Sequence, residues 1–393
     1  MPEHYDVVIV GGGAVGSSSA YWLTADPAAK RRVLVVERDP TYARASTTLS
    51  LGSIRQQFST EENIRLSTFG MHFLKHLGDY LAVDGETPEV SYLERGYLFL
   101  ASEAGLPVLE ANHRLQRGLG ATNVILETGA LKERFPWLDV GGIAAGSLGL
   151  VGEGWFDPYA LLQAFRRKAR AQGAVYVTDE VVGLERKGDR LTGVRLAGGA
   201  TIAAEVVVNA AGPHGGKLAA MAGLHLPVVP KKRFVYVFEC RERLEPTLPL
   251  VIDASGVFVR PEGKGFVCGV SPPENEDPDC EDLEVEYGMW EEVVWPTLAE
   301  RIPAFAAVKL TRAWAGHYDY NTLEQNGIVG PHPEVSNFLF ANGFSGHGIQ
   351  QSPAVGRAIA EWVGHGAWQS IDLTRFGYRR VAAKEKLLEL NVV

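Results

Sequence analysis

Two glycine-rich stretches near opposite ends of the chain have residue types and spacings suited to an anionic cofactor. The first, GGGAVG at 11–16, directly follows the apolar run DVVIV. Gly11 permits a tight turn. Gly13 lets a diphosphate approach backbone N–H groups, and Gly16 lets a helix lie close to a sheet. Ala14 and Val15 lie between these glycines as cofactor-binding candidates, and the N-terminus of the helix that follows favours negative charge. Glu37 ends the next apolar run, RRVLVVERD. Its carboxylate suits the two hydroxyls of an adenosine ribose and disfavours a ribose phosphate. Arg38 is placed to lie over adenine. With strands, helix and acid in position, the motif specifies a dinucleotide site, with NAD and FAD both open.

The second stretch is FANGFSGHGIQQSP at 340–353. Gly343, Gly346 and Gly348 are expected to leave main-chain N–H groups exposed just before a helix, with Ile349 beside them at the cofactor. Such an N-terminus stabilises negative charge on a reduced ring cofactor. Between the two lies VVVNAAG at 206–212, where Ala211 and Gly212 let a ligand or backbone come close. His347 is read as supplying geometry and a polarised N–H, and His317 as a satisfied structural histidine. No set of His, Cys and acids shows metal-ligand spacing, and neither a G-x-S-x-G elbow nor a Walker A loop occurs.

Elements must hold these residues. DVVIV reads as a buried parallel strand, followed by a glycine turn, a helix and a second strand. Residues 61–82 are predicted helical from the spacing of Leu66, Phe69, Phe73, Leu74 and Leu77, and 157–173 as an amphipathic helix. Short strands and irregular helices are expected over 91–149, and extended segments over 223–320. NFLFANG leads to a final helix at 352–363. An α/β signature at both ends, with antiparallel-looking material between, predicts an interrupted cofactor domain (1–90, 150–222 and 323–393). A substrate domain takes 91–149 and 223–322.

The chain has 393 residues, 38 Lys and Arg against 47 Asp and Glu, and 46% hydrophobic residues. This excludes wholesale disorder and disfavours a nucleic-acid binder relying on phosphate attraction. Its 44 glycines show no Gly-X-Y period, which excludes collagen. Three cysteines point to a reduced compartment. No apolar run reaches the ~20 residues of a membrane helix, and a strand so near the start leaves no room for a secretory signal. The expected location is cytoplasmic. The acidic run ENEDPDCEDLEVE at 274–286 reads as a solvated loop and helix start.

Together, DVVIVGGGAVGSSSAYWL, VLVVERD, ASTTLSLGSIRQQF, VVVNAAGPHGG and GIVGPHPEVSNFLFANGFSGHG resemble the D-amino-acid oxidase-like FAD enzymes. These include sarcosine oxidase, glycine oxidase and dimethylglycine dehydrogenase. SIRQQFSTEENIRLS is similar to the sarcosine oxidase beta-subunit branch and its mitochondrial flavoprotein relatives. The resemblance implies a Rossmann-like FAD domain of the glutathione-reductase type with a mixed or antiparallel substrate sheet. Gly11, Gly13, Gly16 and Glu37 would hold the ADP half, and Val181 would meet adenine through its backbone. Ser46, Thr47 and Thr48 would line the diphosphate and flavin region. Ala211 and Gly212 would sit near adenosine, and Gly346, His347 and Gly348 along the flavin pyrimidine edge. The implied chemistry is oxidation of a small secondary or tertiary amine or N-methyl amino acid by hydride transfer to flavin N5.

Departures from the family pattern shape the expectation. Gly316 stands where monomeric sarcosine oxidases link FAD through a cysteine, and TTLSLGS lacks a linking histidine, so FAD is expected to be non-covalent. Phe156 replaces the histidine that carries a second flavin in heterotetrameric relatives. Arg55 is the candidate partner for a substrate carboxylate. Tyr318 matches an active-site tyrosine, and Phe258 makes one wall more apolar. Gln350 replaces a lysine, breaking a two-cation clamp unless Arg260 or Lys264 reaches inward. KGFVCGV offers no firm match for the oxygen-activating lysine, so a dehydrogenase serving a quinone or protein acceptor stands beside an oxidase. An NAD-dependent dehydrogenase, a non-catalytic assembly flavoprotein, and a protein partner or homo-oligomer remain open.

Overall fold

The computed structural model describes residues 4–391. Strand His4–Val10 has Val7, Val8, Ile9 and Val10 buried, the pattern of a parallel strand covered on both faces. It pairs in parallel with Thr201–Asn209 on one side and Val33–Glu37 on the other, and Val175–Thr178 lies beyond the latter. Phe338–Asn342 joins the far half of Thr201–Asn209, also in parallel. Antiparallel strands Arg190–Leu196 and Val181–Lys187 extend the sheet. Helices Ala14–Thr24, Glu61–Lys75, Pro158–Ala171 and Gly348–His365 contribute to one core beside this sheet, and helix Gly215–Ala220 to a second.

A second sheet runs Val308–Asn321, Val228–Cys240, Gly265–Gly269, Phe258–Glu262, Leu250–Ile252, Tyr97–Ala101, Ala145–Gly149, Asn123–Glu127. It is antiparallel except where Tyr97–Ala101 pairs with Leu250–Ile252. Phe238, Trp290 and Phe305 anchor its core. The architecture is the expected one, a Rossmann-like FAD-binding region with a mixed-sheet substrate region.

Three local expectations need adjusting. The helix of 61–82 divides at His76 into Glu61–Lys75 and Leu77–Leu81. Leu106–Gly118 is a regular 13-residue helix within the stretch read as irregular; Pro107 in its first turn supplies a pre-set φ. The helix expected at 352–363 begins at Gly348, runs to His365, and is followed by Arg379–Ala383. Pro353 lies inside it and cannot donate to Ile349 O; the Ser352 hydroxyl does so instead, at 2.9 Å.

Candidate active site

At the first glycine turn, Gly11 has φ +99°, and an added Cβ would lie 2.3 Å from Ala210 O. At Gly16 a Cβ would lie 1.9 Å from Gly11 O, so the helix presses directly on the turn. Gly13 caps helix Ala14–Thr24 without a side chain, and Thr47 Oγ1 accepts Ala14 N–H at 3.1 Å. Glu37 Oε2 accepts Gly12 N–H at 2.8 Å, and Oε1 accepts Asp39 N–H at 2.9 Å. The carboxylate is thereby aimed, with acceptor capacity left on both oxygens for hydroxyl groups.

At the second turn, half-buried Asp319 organises the backbone. Its Oδ2 accepts Gly343 N–H at 2.9 Å and Phe344 N–H at 3.1 Å, and its main-chain O accepts Ser345 N–H at 3.1 Å. Burial pushes its carboxyl up to about 6. The Gly343 N–H is therefore engaged, contrary to its expected exposure. Gly346 has φ +98° and lies against Tyr318, with an added Cβ 2.5 Å from the ring. Gly348, Ile349 and Gln350 start the following helix, where N–H groups have no partner within the helix.

One cavity of about 890 Å³ joins these turns. Gly11, Gly13, Ala14, Val15, Glu37 and Arg38 line it at one end, with Val181, Ala211 and Gly212. Ser46 and Thr47 line it as well. Gly346, His347, Gly348 and Ile349 line the other end with Arg55, Phe258, Tyr318 and Gln350. Gly16 and Gly343 are not among the lining residues, and Thr48 faces a second cavity of about 650 Å³. Successive side chains on the single-turn helix Ser46–Leu49 point about 100° apart, so the three hydroxyls cannot share one cavity. Gly316 lines the first cavity and offers no nucleophile, and Phe156 is buried in the core.

Arg55 is 2% exposed. Its Nη1 donates to Gln57 O and its Nη2 to Asn391 O, with His347 Nε2 at 3.1 Å from Nη2. The guanidinium lies 4.1 Å over the Phe58 ring. Among the described residues, no carboxylate lies within ion-pair distance of it. Burial, then Arg55, holds the His347 imidazole well below its ordinary pKa, so a neutral ring accepts from Arg55 through Nε2 and keeps Nδ1–H. Gln350 Oε1 accepts Arg55 N–H at 2.9 Å, making it a support for Arg55 rather than a second cation. His317 Nε2 is 2.9 Å from Asp282 O. Burial raises Tyr318 above its ordinary pKa.

Neither Arg260 nor Lys264 completes the clamp. Arg260 lines the second cavity, donates to Leu51 O and pairs with Glu262; Lys264 is exposed. A further cation on the wall, beside Tyr318, is Arg233, held by Asp277 through two bonds of 2.8 Å, its guanidinium 5.1 Å over the Tyr318 ring. Sequence reasoning passed over it, although KKR at 231–233 and the acidic run are complementary in charge. That run is docked rather than simply solvated. Asp279 lies 3.1 Å from Lys231, Asp282 2.9 Å from Lys232, and Glu281 meets Lys217 and His214. Buried Glu153 was also missed; it accepts Gln56 N–H at 2.7 Å and Gln57 Nε2–H at 2.8 Å.

The residues fit FAD. Glycines leave a cradle at the diphosphate end, Glu37 is aimed, the Ser46 hydroxyl is buried with no partner among the described residues, and a helix N-terminus closes the far end. Fold and site define a flavin-dependent oxidoreductase. The family model described as FAD dependent oxidoreductase matches residues 6–362, and the chain belongs to that family. It is a FAD-dependent oxidase or dehydrogenase. It is 45% identical over 426 residues to FAD-dependent oxidoreductase domain-containing protein 1 of Xenopus laevis, covering 100% of this chain and 85% of that one. The crystal structure of L-proline dehydrogenase from P. horikoshii matches with a TM-score of 0.86 and 27% identity, covering 98% of this chain and 100% of that one. Human mitochondrial dimethylglycine dehydrogenase is 28% identical over 387 residues, covering 93% of this chain and 43% of that enzyme. The expected proximity to the dimethylglycine dehydrogenase branch is thus weaker than the Xenopus match. Among the described residues no helix is long and apolar enough to cross a membrane, and no group of His, Cys and acids could hold a metal.

Proposed function

We propose that the protein oxidises a small secondary or tertiary amine bearing a carboxylate, such as an N-methyl amino acid. The carrying observation is Arg55, a buried guanidinium at the cavity wall with no carboxylate in contact among the described residues. A substrate carboxylate is its natural counter-ion, and a charge-assisted pair fixes orientation as well as affinity. Bound FAD supplies the two-electron acceptor. Tyr318 orients the amine from the opposite wall, and neutral His347 holds the Arg55 guanidinium through Nε2. Phe258, Leu250 and Ile252 make an apolar wall that excludes water. The substrate arrives with its amine neutral. Proline and dimethylglycine, named in two similar proteins, are amines of this class.

FAD is held without a covalent bond in this reading, because Gly316 stands at one attachment position and no histidine at the other. The cofactor domain comprises 1–90, 150–222 and 323–393, supported by the strand membership of the first sheet. Exposure of Lys264, beside the strand Gly265–Gly269, favours a quinone or protein acceptor over direct reaction with oxygen.

The test is anaerobic flavin bleaching with sarcosine, dimethylglycine and proline, followed by oxygen readmission. Rapid bleaching with slow recovery in oxygen is expected. Arg55→Gln should raise the KM for these substrates by about 30- to 4,000-fold, the range for removing one partner of a buried charge pair. An unchanged KM, or intact flavin with every amine, overturns the reading.

A further inference from the structure

We infer that the Arg233–Asp277 pair sets the substrate class, admitting amines with one carboxylate and rejecting those with two. This rests on the function proposed above and narrows it. Two guanidinium groups share the cavity wall with Tyr318, Arg233 lying 5.1 Å over its ring. They differ in their counter-ions. Among the described residues Arg55 touches no carboxylate, whereas Arg233 is matched on both terminal nitrogens by Asp277, and its Nη1 also donates to Lys232 O at 2.8 Å. Arg233 and Asp277 are each 8% exposed, so solvent screens the pair little. Asp277 is not itself a lining residue; the acid backs the guanidinium that faces the cavity.

A first carboxylate reaching Arg55 gains an unshared cation. A second, reaching toward Arg233, meets a cation already neutralised and the fixed negative charge behind it. It would lose its hydration without gaining a counter-ion, which is costly in a buried site. The two lysines that precede Arg233 do not relieve this, because Lys231 is paired with Asp279 and Lys232 with Asp282. Asp319, on the same wall, adds a further acid whose Oδ2 is held by two N–H groups.

The test uses the full chain loaded with FAD, as wild type and as Asp277→Asn. The substituted amide keeps the shape and one acceptor for Arg233 but removes the charge. Flavin reduction is followed anaerobically with sarcosine and proline against iminodiacetate and N-methylaspartate. Binding of two non-oxidisable probes, acetate and malonate, is followed in parallel by the shift of the flavin absorption band. The wild type should prefer the monocarboxylates. Asp277→Asn should lower that preference at least about tenfold, and should tighten malonate more than acetate. The double variant Arg233→Gln/Asp277→Asn, lacking both charges, should regain the wild-type preference. The inference is overturned if wild type takes diacids equally well, or if Asp277→Asn retains FAD with an unmoved ratio and unmoved malonate affinity. If no amine of either class bleaches the flavin, the proposed function fails, while the acetate and malonate titrations still decide the role of the pair. Should Asp277→Asn not retain FAD, the wild type and the double variant decide it: both must favour acetate.

Discussion

At the scale of single residues, the substrate end is governed by charges withdrawn from water. Glu153 lies behind the Arg55 segment, and burial pushes its carboxyl up to about 7 from 4.5. A carboxyl raised on folding binds more protons in the native state than in the unfolded chain. Its contribution to stability is therefore fully present below pH 4.5 and is lost as pH rises through 7. Glu153→Gln removes the ionisation while keeping an acceptor for Gln56 N–H. The melting temperature of the variant minus that of the wild type should therefore rise between pH 5 and pH 8. A difference that is flat with pH would show that Glu153 does not ionise in that range. Arg55 was legible in sequence as a cation soon after the STTL stretch. Glu153 was not, because its role depends on strands far apart in the chain meeting behind Arg55. Arg233 was hidden for the same reason: its meaning comes from Asp277, and only folding brings that acid to it.

At the scale of elements, the two glycine turns were legible because each combines a buried strand, a turn and a helix start, all local in sequence. What was not legible is how the second turn is fixed. Asp319, on the long strand Val308–Asn321, takes up the N–H groups of Gly343 and Phe344. This leaves Gly346 and the helix start to face the cavity. The helix boundary was misplaced because Ser352–Pro353 looks like a start, whereas the Ser352 hydroxyl repairs the gap that Pro353 makes. Gly346 is the most constrained point of the turn, since its φ of +98° disfavours a side chain and the Tyr318 ring occupies the space a Cβ would need. Gly346→Ala should cost about 1–3 kcal/mol and displace Tyr318 or the turn. Fewer FAD molecules per chain after gel filtration, together with a lower melting temperature, would be the signature. Unchanged FAD content and melting would mean that the turn accommodates the methyl group.

At the scale of the whole molecule, the acidic run ties the ends of the cavity together. Asp277 grips Arg233 at the substrate end, and Glu281 meets His214 and Lys217 at the dinucleotide end; Arg233, His214, Lys217 and Glu281 all line the cavity. The two grips differ in kind. Lys217 and Glu281 side chains are 62% and 52% exposed, so their pairing is weak and screened by salt. Arg233 and Asp277 are buried and bidentate, so salt reaches them little. Raising salt should therefore loosen the dinucleotide end first while the substrate end holds. Release of FAD, followed by its fluorescence, should quicken by a factor of about 2–5 between 0.05 and 1 M NaCl, the effect of losing up to about 1 kcal/mol of exposed pairing. Glu281→Gln should release FAD faster at low salt and remove most of the salt dependence. Asp277→Asn should leave the salt dependence in place, because the pair it disrupts lies out of reach of screening. If instead Asp277→Asn abolishes the salt dependence and Glu281→Gln does not, the acidic run is latched at the substrate end alone, and the ion pairs over the dinucleotide end do not retain the cofactor.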